Sequence, residues 1–202
     1  MTKIKLCGLS RPDDIEAANL LKPEYVGFVF AKKSRRYVAP EQAAELSRML
    51  SPRIPAVGVF VNEAPERVAG LLNSGVIDLA QLHADEDDAY IAKLRTLTEK
   101  PILKAFVISR AGDLQKVANC PADFVLLDSG GGTGNAFDWN LIGKLDRPYF
   151  LAGGLSAENV GAAVRALHPY AVDVSSGIET NGCKDRIKMA AFVAAVRKED
   201  QL

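Results

Sequence analysis

Lys5 and Cys7 stand two residues apart in the apolar run KIKLC (3–7). In a strand such residues share a face, roughly 6–7 Å apart. An ammonium beside a thiol favours the thiolate, the form able to take a proton. A lone cysteine is more often a small buried hydrophobe, and the place of Cys7 at the end of its run is what raises the functional reading. Asp128 closes a second apolar run, FVLLD (124–128). Burial there would raise its pKa, so that the carboxyl could donate a proton near neutrality; the plainer reading is a carboxylate bonding the glycine loop that follows. A thiolate base and a carboxylic acid on one pocket point to proton transfer, not to hydrolysis. Ser175 and Ser176 offer no competing arrangement, since neither sits in a GxSxG elbow.

Elements that could position these groups recur along the chain. The runs KIKLC (3–7), YVGFVF (25–30), AVGVFV (56–61), IDLAQL (77–82), ILKAFV (102–107), FVLLD (124–128), YFLA (149–152) and AVDVS (171–175) read as buried parallel strands. Their starts lie 21–31 residues apart, room for a strand, a helix and two short loops. Helix starts fall between them: Pro12-Asp13-Asp14, Pro40-Glu41, Ala64-Pro65-Glu66, Ser156 with Glu158 and Asn159, and the closing DRIKMAAFVAAVRK. The fifth, around GDLQKVA, carries the weakest signal. Eight near-equal units predict one α/β domain, a single (β/α)₈ TIM barrel over residues 1–202. An open doubly wound sheet is the alternative, but no reversal point or edge is evident.

Such a barrel puts its chemistry where the strands end. The segments there are Cys7-Gly8, the loop with Arg35 and Arg36, Gln81 and His83, Asp128, Gly153-Gly154, and Ser175-Ser176-Gly177. Loops after strands seven and eight commonly hold phosphate, and glycine lets backbone N–H groups approach it; taken singly, each glycine segment could serve only its turn. The guanidinium of Arg36 suits a carboxylate, although a basic pair is more often solvated. GGGTG (130–134) reads as a flexible lid or a plain loop, because Asn135-Ala136 replace the Lys-Ser/Thr of a phosphate loop. His168 reads as surface, and Asp85–Asp88 as the solvated start of helix four.

Composition narrows the function classes. Lys and Arg total 25, as do Asp and Glu, so a non-specific nucleic-acid binder is not expected. Hydrophobic residues make up 48%, yet no run reaches the roughly 18 residues of a membrane span. Cys7, Cys120 and Cys183 form no CxxC pair, so neither a disulfide framework nor a structural zinc site is expected. A reducing, cytoplasmic setting is the default, with no nucleic acid and no membrane as partner.

Taken together in order, KLCGLSRPDD, VGFVFAKKSRRYV, VGVFVN, QLH, LLDSGGGTGNAFDW, LAGGLSAENV and VDVSSGIETNGCKD resemble the phosphoribosylanthranilate isomerase family of tryptophan biosynthesis. The likeness spans essentially the whole chain and implies a small (β/α)₈ barrel. It implies an Amadori rearrangement of a phosphorylated sugar–anthranilate substrate, with Asp128 as general acid and Cys7 as general base. Arg36 would hold the anthranilate carboxylate, and the phosphate would sit on the backbone of Gly154, Ser175, Ser176 and Gly177. No metal or organic cofactor is implied; the state would be monomer or homodimer. Three departures stand out: Arg35 where the family often has Pro, Ala84 after the His where Gly is usual, and Asn135-Ala136 where Lys-Thr or Lys-Ser is usual. The rival readings are the sister isomerase of histidine biosynthesis or a dual-substrate form, a Schiff-base lyase using Lys104, and a non-catalytic phosphate-binding barrel.

Overall fold

The structure is a computed structural model and describes residues 1–128, 142 and 145–200. Eight parallel strands close on themselves in sequence order: β1 (Lys3–Cys7), β2 (Tyr25–Val29), β3 (Ala56–Phe60), β4 (Leu79–Leu82), β5 (Ile102–Val107), β6 (Phe124–Asp128), β7 (Tyr149–Leu151) and β8 (Ala171–Val174). The closing pair runs β1 against β8, with Lys5 opposite Asp173, so the barrel sheet has no open edge among the described residues. Every strand lies within two residues of its expected run. The outer layer is α1 (Pro12–Leu21), α2 (Pro40–Met49), α3 (Pro65–Asn73), α4 (Asp88–Arg95), α5 (Leu114–Asn119), α6 (Val160–Leu167) and α7 (Arg186–Glu199). The expected lid, residues 130–134, and Asn135-Ala136 lie outside the described residues.

The helix starts follow from their caps. Pro12 opens α1 at a position that needs no N–H donor, and Asp14 accepts from the backbone N–H of Ser10 and Arg11 at 3.0 and 3.1 Å. Asp87 caps α4 by accepting from Tyr90 N at 2.8 Å. Asp185 caps α7 by accepting from Ile187 and Lys188. The weak fifth segment is a 3₁₀ turn (Ala111–Asp113) leading into the six-residue α5. Among the described residues no helix is long and apolar enough to cross a membrane.

Strand alternation divides the core in two. Outward residues such as Ile4, Leu6, Val26, Phe28, Leu82, Ile102 and Val172 pack under the helices. Inward residues fill the barrel in tiers. Tyr25, Phe124, Phe150 and Tyr170 interlock towards the N-terminal end, with ring centroids 5.4–5.9 Å apart, and Val57, Leu79, Leu103 and Leu126 pack with them. Because the strands are parallel, Cys7, Val29, Val59, Gln81 and Asp128 all arrive at the opposite rim.

Candidate active site

At that rim lies a cavity of about 660 Å³. Cys7, Arg36, Gln81, His83, Asp128, Gly153, Gly154, Ser175 and Ser176 all line it. Gly177 does not: it sits in a short 3₁₀ turn (Ser176–Ile178), where a Cβ would come within 2.0 Å of the Leu155 carbonyl oxygen. Gly177 thus lets the loops after β7 and β8 touch.

Cys7 is buried at the end of β1. Its register partner on β2 is Gly27, where a Cβ would stand 2.7 Å from the Cys7 sulfur, so glycine there leaves room for the thiol. One layer below, Lys5 is fully buried and donates to Asp173 at 2.9 Å. The Lys5-x-Cys7 spacing predicts a thiol lowered by the ammonium. Lys5 does act in that direction, but burial outweighs it, and Asp173 adds to the burial effect, so the thiol is pushed up. Lys5 spends its charge chiefly on Asp173, and the carboxylate cancels much of the field the sulfur would feel.

Asp128 ends β6, separated from β1 by the two strands β7 and β8. Its side chain is 22% exposed, so the desolvation expected from FVLL is only partial. His83 Nε2 lies 3.4 Å from Asp128 Oδ2, and Gln81 Nε2 lies 2.7 Å from His83 Nδ1. With the Gln81 amide in this orientation, Nδ1 accepts and the ring proton sits on Nε2, facing the carboxylate. Gln81 Oε1 is buried and has no hydrogen-bond partner among the described residues.

The acidic run at the start of α4 is exposed at Asp85, Asp87 and Asp88, as expected, but not at Glu86. Glu86 is buried, not solvated: it accepts from the backbone N–H of Asn62 at 2.7 Å and of Ala84 at 2.8 Å, and from Lys104 at 3.1 Å. This brace fixes the backbone next to His83. It also occupies Lys104, which bonds the Ala84 carbonyl as well and does not line the rim cavity. His168 is exposed at the end of α6, as expected.

Across the mouth, Arg36 does not present a free fork. Its Nε and Nη2 donate to Glu179 at 2.6 and 3.0 Å, and Arg35 joins the same carboxylate at 2.7 Å. Lys184 donates to Glu179 at 2.7 Å and to the Ser175 carbonyl at 2.9 Å. Burial alone would raise the Glu179 carboxyl, but hydrogen bonds from Arg36 and Lys184 hold it down at about 2. Gly8, at φ +78°, passes close beneath: a Cβ there would meet Arg36 Cδ at 2.5 Å. Val29, Ala31, Val59 and Val61 form an apolar wall on the Arg36 side.

The model of the family described as N-(5'phosphoribosyl)anthranilate (PRA) isomerase matches residues 4–195. The chain belongs to the N-(5'-phosphoribosyl)anthranilate isomerase family. It is 43% identical over 202 residues to the isomerase of Endomicrobium trichonymphae, covering 98% of this chain and 99% of the relative. It is 45% identical over 208 residues to that of Dechloromonas aromatica, covering 99% and 98%. The solved phosphoribosyl anthranilate isomerase of Thermotoga maritima superposes with a TM-score of 0.90 at 35% identity, covering 98% of this chain and 100% of that one. A family structure in complex with reduced 1-(o-carboxyphenylamino)-1-deoxyribulose 5-phosphate superposes at 0.88 with 34% identity, covering 98% and 100%.

Sequence reasoning missed four residues of this isomerase-family site: Gly27, Asp173, Glu179 and Lys184. Two left a signal. Gly27 interrupts an apolar strand, which marks a close approach, and Asp173 is a charge inside AVDVS that needs a buried partner. Glu179 and Lys184 follow the last strand in a segment with no periodicity, and only the antiparallel pairing of β9 (Glu179–Thr180) with β10 (Cys183–Lys184) brings them together.

Proposed function

We propose that residues 1–202 form one catalytic domain that isomerises N-(5-phosphoribosyl)anthranilate to 1-(2-carboxyphenylamino)-1-deoxyribulose 5-phosphate, the Amadori step of tryptophan biosynthesis. Asp128 gives its proton to the ribose ring oxygen. The C1–O bond breaks, and the nitrogen lone pair forms the iminium. Cys7, as thiolate, removes the proton from C2, giving an enolamine. Proton return at C1 and loss of the C2 hydroxyl proton yield the aminoketose, so no atoms are gained or lost. The chemistry requires no metal, organic cofactor, nucleic acid or membrane, and a cytoplasmic monomer or homodimer suits it.

The observation that carries this reading is that Cys7 and Asp128 line one cavity together with an arginine beside an apolar wall. An aryl carboxylate fits such a corner: the ring against Val29, Ala31, Val59 and Val61, the carboxylate on Arg36. His83 on Asp128 orients the acid, and the unpartnered Gln81 Oε1 suits a sugar hydroxyl. Gly153 and Gly154, at φ +90° and +63°, turn backbone towards the Ser175-Ser176 loop, where the phosphate would sit.

The Schiff-base alternative loses its nucleophile, since Lys104 is tied to Glu86 and faces away from the cavity. The histidine-pathway relatives use aspartate where Cys7 stands, so the cysteine favours the anthranilate substrate. A fluorescence assay of the purified chain on phosphoribosylanthranilate tests the proposal, with the histidine-pathway aminoaldose run beside it. Turnover of the first is expected. Turnover of only the second, or binding without turnover, refutes it.

A further inference from the structure

The geometry points to Glu179 as a positioning residue that sets which edge of Arg36 meets the substrate carboxylate. The inference rests on the proposed reading that Arg36 takes that carboxylate.

Glu179 lies behind the cavity, not on it, and its side chain is only 4% exposed. Its two oxygens accept four hydrogen bonds: from Arg36 Nε and Nη2, from Arg35 Nη2 and from Lys184 Nζ, all at 2.6–3.0 Å. An arginine fork carries five N–H donors. Two of those of Arg36 are held by Glu179, along the Nε–Nη2 edge. The three left lie on Nη1 and on the free side of Nη2, and they form a second edge that can take another carboxylate two-pronged. The first carboxylate therefore aims the second edge.

Charge supports the same use. One carboxylate is surrounded by Arg35, Arg36 and Lys184, which leaves the cluster at a formal net charge of plus two. An anionic ligand is still attracted, and Glu179 orders the guanidinium without neutralising it. Gly8 beneath Arg36 leaves room for the side chain to follow this path, because any Cβ there would strike Arg36 Cδ. A long flexible side chain is thus ordered before the ligand arrives, and less freedom is lost on binding.

The test measures dissociation constants by calorimetry for two ligands: reduced 1-(o-carboxyphenylamino)-1-deoxyribulose 5-phosphate, and the same molecule with aniline in place of anthranilate. Arg36→Ala should weaken the carboxylated ligand roughly 10–100-fold, the usual worth of a charged hydrogen bond, and change the anilino ligand little. Glu179→Gln keeps an acceptor for one neighbour but turns an NH₂ towards another. It should weaken the carboxylated ligand about tenfold, leave the anilino ligand within about twofold, and add almost nothing in the Arg36→Ala background. Equal losses on both ligands, or full additivity with Arg36→Ala, overturn the inference. If Arg36→Ala itself does not separate the ligands, the carboxylate assignment fails and the inference falls with it. Should Glu179→Gln not fold, Arg36→Lys decides: an ammonium bound to Glu179 keeps the charge but has no second edge, so its loss should approach that of Arg36→Ala. Undiminished binding by Arg36→Lys overturns the inference.

Discussion

At the N-terminal end of the barrel Tyr25, Phe124, Phe150 and Tyr170 fill the interior with interlocked rings, and Lys3 sits over Tyr170, 4.4 Å from its centroid. At the C-terminal end β1, β6 and β8 bring the Cys7 thiol and the Asp128 and Asp173 carboxyl groups to an open cavity, and the loop after β2 adds its cations. One strand can serve both ends because its inward positions alternate: β1 carries Lys5 into the interior and Cys7 to the rim, and β6 carries Phe124, Leu126 and Asp128. The lower end stabilises by removing apolar surface from water, which is indifferent to pH. The upper end holds some charge out of water, which is costly unless the buried charges are paired, as Lys5 is with Asp173 and Lys184 with Glu179. The lesson is a division of labour within strands such as β1 and β6: apolar packing at one end supports reactive groups at the other.

The comparison breaks if substitutions at the two ends have the same kind of effect. Phe150→Ala removes a fully buried ring from the lower tier and should cost about 3–5 kcal/mol of stability. Denaturant unfolding measures that loss, and turnover per folded molecule should stay near the parent value. Cys7→Ala and Asp128→Ala should do the reverse: kcat falls ~10²–10⁴-fold, the range for general acid–base groups, with the melting temperature nearly unchanged. A Cys7→Ala variant that unfolds readily but turns over normally would place the sulfur among the structural groups.

Glu179 sharpens the comparison, because its stabilisation is electrostatic and so depends on pH. Its carboxyl is held at about 2 against an ordinary 4.5. A lowered folded value means that the contribution is fully present above pH ~4.5 and is lost as pH falls towards ~2. The size is about 3 kcal/mol at neutral pH. Glu179→Gln should therefore be less stable than the parent at pH 7 by roughly that amount, and the gap should close in unfolding curves taken at successively lower pH. Phe150→Ala should show a gap that pH leaves alone.

How far the sequence speaks also differs between the ends. Strand positions were legible throughout, since KIKLC, ILKAFV and FVLLD recur as β1, β5 and β6 without change of boundary. The rim residues Cys7, Asp128, Arg36 and His83 were legible as types at strand ends. Their partners were not. Glu86 looked like one more solvated acid because its run is uniformly acidic, and burial depends on Lys104, 18 residues away. Glu179 meets Arg36 across 143 residues of chain. Periodicity reports which face a residue occupies but not which charge waits on the facing loop.

Cys7 is where the two ends meet, and its titration separates their influence most finely. The expectation from Lys5-x-Cys7 is a thiol poised to ionise, whereas in the folded barrel burial raises it and Lys5 offsets only part of that rise. In a Cys120→Ala/Cys183→Ser background the rate of iodoacetamide alkylation follows the Cys7 thiolate alone. Its midpoint should lie above that of a free cysteine, so the resting site carries the thiol and the base acts from a minority thiolate. Removing the ammonium by Lys5→Met takes away the lowering influence and leaves Asp173 unscreened, and both changes have the same sign. The midpoint should therefore move further up and alkylation at a fixed pH should slow. A midpoint below that of free cysteine would mean that Lys5 dominates the sulfur after all, and that the rim imposes its electrostatics on β1 more strongly than the barrel imposes its burial.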